Sequence, residues 1–222
     1  MARVSGNILG FNRGKIGELR FWVVKGQQFN GAMPGPRPKG WSPTKGQSDE
    51  MEIFTFLTKA AMSASKFTEI TFKSVMDKTP YLNTISAFVK LNYDSINRRV
   101  FEETGTVTFD PKLLKVSKGN LSAPLVTNSD FTNGILTVNY EYIPGINGKQ
   151  SADDKMFVVI YNETDNTFWL WSKNPQPTRA DGEISFEMPT FLRDTKIDAF
   201  IFAQSADNKD VSDSFPLLHE RT

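Results

Sequence analysis

Cysteine is absent from this chain, and histidine occurs once, as His219 near the C-terminal end. The first absence excludes a disulfide framework and a thiol nucleophile. Together they exclude Cys/His zinc ligation and leave no base for a Ser-His-Asp triad, since a histidine in a chain end is expected to be solvated. Long apolar runs are missing as well: none approaches the ~18 residues that a membrane-spanning helix needs. The first residues lack a signal-like apolar stretch, being broken by Gly6, Gly10, Asn12 and Arg13. A protein of the cytoplasm is expected, or of a virion if the gene is phage-borne, with no membrane partner.

Acidic residues are scarce at one end only. Residues 1–48 carry eight Lys/Arg against the single acid Glu18, a formal charge of about +7, while residues 49–222 carry 18 basic and 24 acidic side chains, about −6. The overall charge of +1 conceals this polarity. The basic end also holds 9 of the 15 glycines and 4 of the 12 prolines, so it is poorly equipped to own a core. The remainder has the opposite character. With 18 Phe, 4 Trp and 5 Tyr in the whole chain, it can bury a substantial interior.

Periodicity gives three segments. Residues 1–47 read as a basic, Gly/Pro-rich arm with a β-hairpin. Leu19, Phe21 and Val23 alternate with Arg20, Trp22 and Val24, Gly26 to Gln28 supply a turn, and Phe29 to Met33 return. Pro34 to Pro43 then hold the chain extended. Residues 48–104 read as two or three helices. The first starts near Ser48 with Thr44 or Ser48 as cap, acids Asp49, Glu50 and Glu52 in its first turn, and Met51, Phe54, Leu57, Thr58 and Ala61 on its apolar face. A second helix is expected over Ser65 to Asp77, and a third over Leu82 to Phe101.

From residue 105 to 222 the period becomes two. Strands are expected at Thr106–Phe109, Leu113–Val116, Ile135–Tyr142, Met156–Tyr161, Thr167–Ser172, Glu183–Glu187 and Ile197–Gln204, with a weaker eighth at Val211–Leu217. Asn133-Gly134, Asn147-Gly148, Glu163 to Asn166 and Asp207-Asn208 mark turns between them. The fold class that follows is α+β, with a C-terminal immunoglobulin-like antiparallel β-sandwich.

Several stretches together resemble a known family. They are Ile8 to Gly10, Gly14-Lys-Ile-Gly17, Asn83 to Asn97, Phe109 to Leu121, Lys155 to Asn162 and Ala199 to Ser214. Over nearly its whole length the chain is similar to the Bacteroidetes proteins of domain-of-unknown-function family 6266. In that family a glycine-rich start leads through a GKVG-type turn to helices, a strand with an S-x-G-x-L ending and a C-terminal sandwich. The chain departs from this pattern at Pro34–Pro43 and in its Phe- and Trp-rich strands. The resemblance implies an uncharacterised protein, intracellular or phage-borne, and supplies no catalytic residues.

Candidate chemistry is sparse. Gly10 to Ile16 falls one residue short of a phosphate loop and puts Ile16 where a magnesium-binding hydroxyl belongs, so a turn before a strand is the better reading. The adjacent acids Asp153-Asp154 and Glu102-Glu103 read as solvated charge rather than as metal ligands or a glycosidase couple. Trp169 and Trp171 share one face of their strand. They are either core or, if exposed, an aromatic platform for sugar or a protein partner. That leaves the arm, with Arg3, Arg13, Lys15, Arg20, Lys25, Arg37 and Lys39 as its charges and Trp22 and Trp41 as its aromatic contacts.

No enzyme activity, cofactor or metal is expected from these residues. The favoured function is a structural or interaction protein whose arm docks it onto copies of itself or onto other subunits of an assembly, such as a phage particle. The alternative is a nucleic-acid-binding accessory protein that uses the same basic arm. A carbohydrate-binding module built on Trp169 and Trp171 comes third.

Overall fold

The computed structural model describes residues 14–16, 19–24, 27–32, 39–79, 83–144, 149–193 and 195–217. The chain divides into two compact units, Met1–Ser48 and Asp49–Thr222. The fold is α+β, with antiparallel sheets throughout.

In the first unit β1 (Gly14–Ile16), β2 (Leu19–Val24) and β3 (Gln27–Ala32) form an antiparallel sheet in the order β1-β2-β3. Lys15 pairs with Arg20 and Trp22 with Phe29. The expected hairpin is thus widened by one short strand.

Helix α1 (Lys45–Thr71) begins three residues before the expected start at Ser48. The backbone N–H of Gln47 donates to Thr44 Oγ1 (3.4 Å) and that of Thr44 to Gln47 Oε1 (3.0 Å), so each side chain meets a backbone donor the helix would leave unpaired. Asp49, Glu50 and Glu52 therefore fall beyond the first turn. The buried face is also rotated from the expected one: it runs through Ile53, Leu57, Ala60, Ala61, Ala64, Phe67, Thr68 and Thr71, and leaves Met51 and Phe54 outside.

The helix continues through Ser65, where a new one was expected, and breaks at Phe72 before α2 (Lys73–Lys78). The single helix expected over Leu82 to Phe101 is three pieces: α3 (Thr84–Asn92), a 3-10 turn (Tyr93–Ser95) and α4 (Arg98–Thr104). Asparagine side chains set the starts of α3 and α4. Asn83 and Asn97 each accept a backbone N–H three residues on, from Ser86 (2.8 Å) and Val100 (3.2 Å), and so cap α3 and α4.

Seven strands follow: β4 (Leu125–Thr132), β5 (Ile135–Glu141), β6 (Lys155–Asn162), β7 (Thr167–Trp171), β8 (Glu183–Glu187), β9 (Ile197–Gln204) and β10 (Phe215–Leu217). A four-residue helix, α5 (Thr190–Arg193), lies between β8 and β9. The strands form two sheets, ordered β10-β9-β6-β7 and β4-β5-β8. The β4–β5 hairpin turns at Asn133 and Gly134 with φ of 53° and 79°, the left-handed geometry that this dipeptide favours.

Layering follows from alternation along β6 and β9. Met156, Val158 and Ile160 with Ala199, Ile201 and Ala203 face the three-stranded sheet, where they join Leu136, Val138, Ile184 and Phe186 in one core. Val159 and Tyr161 with Phe200 and Phe202 face the other way, into a second core shared with Ile53, Leu57, Phe67 and Phe88 of the helices. Both faces of the central strands are apolar because both are covered. Burying each such side chain stabilises the fold by roughly 1.5–3 kcal/mol. Helices and sandwich therefore belong to one unit, and the expected boundary at 104/105 divides nothing that packs separately.

Candidate interaction surfaces

Of the arm residues, Lys15, Arg20 and Trp22 lie on β1 and β2 by backbone position. Lys39 and Trp41 are exposed at a turn before α1. Arg3, Arg13, Lys25 and Arg37 lie outside the described residues.

The tryptophans of β7 form no exposed platform, which corrects the carbohydrate-site expectation. Trp171 is only 8% exposed and stacks on Phe186 of the facing sheet, with ring centroids 4.7 Å apart and planes at 19°. Trp169 is half-buried against the same ring at 6.1 Å. On the reverse face Phe168 meets Phe88 (5.6 Å) and Phe67 (6.1 Å). An edge strand with packing on both faces buries its aromatics in either direction.

The segment from Thr106 to Leu121, expected to hold two strands at Thr106–Phe109 and Leu113–Val116, is a strap with isolated bridges instead of a ladder. Leu114 and Val116 point inward, which accounts for the alternation, but the backbone partners are scattered. Buried Asn92 takes both backbone groups of Lys115: its Nδ2 donates to the carbonyl (2.9 Å) and its Oδ1 accepts from the N–H (2.7 Å). At the far end Ser117 Oγ donates to the Ser212 carbonyl (2.6 Å), Gly119 N–H to Asp213 Oδ1 (3.1 Å) and Leu121 N–H to the Val211 carbonyl (3.0 Å). Lys118 pairs with Asp213. Stretches that carried the family resemblance, 83–97, 109–121 and 199–214, thus meet in one joint between helices and sandwich. Its polar groups are spent on each other.

No protein-family model matches the chain, and no curated protein matches it.

Beside the strap is a cavity of about 230 Å³ bordered by Leu91, Asp94, Lys112, Lys115 and Asp213. The buried hydroxyls on its rim, Ser95 and Ser117, donate to the backbone carbonyls of Asn92 and Ser212. No group of three metal-ligating side chains occurs among the described residues, and no described helix is long and apolar enough to cross a membrane.

Two charged clusters escaped the sequence reading. Asp154, expected to be solvated, is buried and ion-paired to buried Arg179 at 3.0 Å, with side chains 3% and 2% exposed. Arg179 also donates to the Ser122 carbonyl, and Asp154 accepts from the Ser151 N–H (2.9 Å). Such a pair is costly to break, by about 3–5 kcal/mol, because the survivor stays buried and charged. The only hint in the sequence was an arginine among turn residues.

The second cluster is Glu50, Tyr93 and Arg98. Tyr93 donates to Glu50, and Arg98 reaches Glu50 (2.9 Å) and the Tyr93 hydroxyl (2.9 Å). The hydrogen bond from Tyr93, then that from Arg98, holds the Glu50 carboxyl below its ordinary range. The hydrogen bond to Glu50, then burial, in turn raises the Tyr93 phenol. These contacts clamp α1 to the segment entering α4. Glu102 and Glu103 are exposed, as expected for solvated charge, and Glu103 pairs with Arg99 one turn away.

Proposed function

We propose that this is a non-enzymatic interaction protein whose basic N-terminal segment docks it into a multi-subunit assembly, such as a phage particle. The observation that carries this reading is that the positive charge and the unit Met1–Ser48 are the same stretch of chain. A unit of about +7 on a chain whose remainder is about −6 suits association with acidic neighbours, copies of the same chain included. The outer edge of β3 has no ladder partner among the described residues, which also suits strand addition.

We take the sandwich to be immunoglobulin-like. In its support, β4-β5-β8 against β10-β9-β6-β7 corresponds to strands A-B-E against G-F-C with one strand added beside C. Membership of the Bacteroidetes family named above, with a cytoplasmic or virion location, is part of the same proposal.

The test is light scattering of the full chain at low and high salt, with absorbance read for co-purifying nucleic acid. The comparison variant carries Lys15→Glu, Arg20→Glu and Lys25→Glu together. An assembly whose mass falls toward the 25.0 kDa of one chain in the variant supports the reading. A protein that carries nucleic acid at low salt and sheds it at high salt moves the function to nucleic-acid binding.

A further inference from the structure

Helix α1 buries one face and presents a second apolar stripe to solvent. Met51, Phe54 and Met62 are 57%, 57% and 60% exposed. With half-buried Thr58 they fall at i, i+3, i+7 and i+11, within about 80° of one another around the helix at 3.6 residues per turn. Three hydroxyls in and beside the stripe are already satisfied within the helix. Thr55, Thr58 and Ser65 donate their hydroxyl protons to the carbonyls of Met51 (2.7 Å), Phe54 (2.8 Å) and Met62 (2.8 Å). Two thioethers, one ring and three satisfied hydroxyls make a surface that loses little on being dried.

We infer that this stripe is a self-association surface, on which α1 of a second copy packs antiparallel about a two-fold axis near Thr58. Charge decides both occupant and orientation. One flank of the stripe carries exposed Glu52, Lys59 and Lys66, seven residues apart. A parallel partner would set this flank against the opposite flank of the stripe and bring none of the three charges to one another. An antiparallel partner sets Glu52 against Lys66 twice and leaves only Lys59 facing its copy. With the axis at Thr58, Phe54 meets the methionine at position 62 of the other copy, a ring–thioether contact, twice by symmetry, and Glu52 and Lys66 are offset by two residues, about 3 Å along the helix, which their long side chains span. The small Thr58 allows close approach at the crossing. So short a seam lies below the ~1,000 Å² of a stable interface, and the dimer it forms is weak and concentration-dependent. This surface is distinct from the basic arm, so its failure leaves the arm's docking role standing.

Sedimentation of the full chain up to about 10⁻⁴ M, where weak interfaces populate, is the first measurement. A monomer–dimer equilibrium is expected, weakened at least ~10-fold by Phe54→Glu with an unchanged melting temperature, since that ring is exposed. Glu52→Lys should weaken the dimer, and Glu52→Lys with Lys66→Glu should restore it. Orientation is read by disulfide formation in a chain that has no native cysteine. Thr58→Cys should oxidise to a covalent dimer, whereas Met51→Cys, whose copies face each other only in a parallel pair, should not. Sedimentation as a monomer throughout, association untouched by Phe54→Glu, or ready cross-linking through Met51→Cys would each overturn the inference.

Discussion

A methyl group on Gly119 would stand 1.9 Å from the Val211 carbonyl oxygen and 2.6 Å from its carbon. Both obstacles are backbone, in the joint where the Leu121 N–H bonds to the same Val211 carbonyl, so neither can swing aside. Gly119→Ala should therefore destabilise the protein by about 3 kcal/mol, the upper end of overpacking costs, read as a lowered denaturant midpoint. An unchanged midpoint would mean that the strap does not lie against residues 211–213. A second test at this scale concerns Asp207. A hydrogen bond from Ser205, then contacts from Lys209, hold its carboxyl down at about 2 against an ordinary 3.8. A depressed folded value means that the contribution to stability is present above pH 3.8 and is lost as pH falls through about 2. Carboxyl NMR should place the Asp207 midpoint near 2, and Ser205→Ala should move it upward. A wild-type midpoint at the ordinary value would remove the turn's role.

Elements were legible where one signal acted alone. β8 and β9 begin and end where alternation and turn residues place them, and β5, β6 and β7 differ by single residues. β4 went unread because its sequence, Leu125 to Thr132, is polar in the middle: it is an edge strand with a bulge after Val126 and only alternate positions partly covered. The strap misled in the opposite way, since an extended chain with every second side chain buried has a strand's period without a strand's partners. On α1 the sequence offers two apolar stripes, one through Ile53 and Leu57 and one through Met51 and Phe54, and periodicity cannot say which meets the sheet. The start of α1 gives a prediction. Thr44→Ala removes one half of the reciprocal cap and should cost about 1 kcal/mol, with amide exchange accelerated in the first turn alone. Exchange that stays slow there would show that Gln47 or solvent suffices.

For the whole molecule, the question is whether the helical layer and the sandwich are independent. The four-stranded sheet belongs to both cores: neighbouring residues Val158 and Val159 on one strand serve opposite ones, as do Phe200 and Ile201. Trp171 and Phe168, three residues apart on β7, touch the facing sheet and the helices respectively. Losing either layer would strip a face of β6 and β9 to water, at roughly 1.5–3 kcal/mol for each large side chain exposed, so neither layer should persist alone. In a Trp22→Phe, Trp41→Phe background the remaining fluorescence comes from Trp171, buried between the sheets, and Trp169, half-buried beside it, while helical circular dichroism reports chiefly on α1, α3 and α4. The two signals should lose native intensity at one midpoint. Leu57→Ala, a buried truncation in the helical layer, should lower both by the same amount, corresponding to about 2–5 kcal/mol. Helical signal that melts first, with tryptophan emission unchanged, would instead make the helices a removable cover over a self-sufficient sandwich. The shared sheet would then be stable with one apolar face bare.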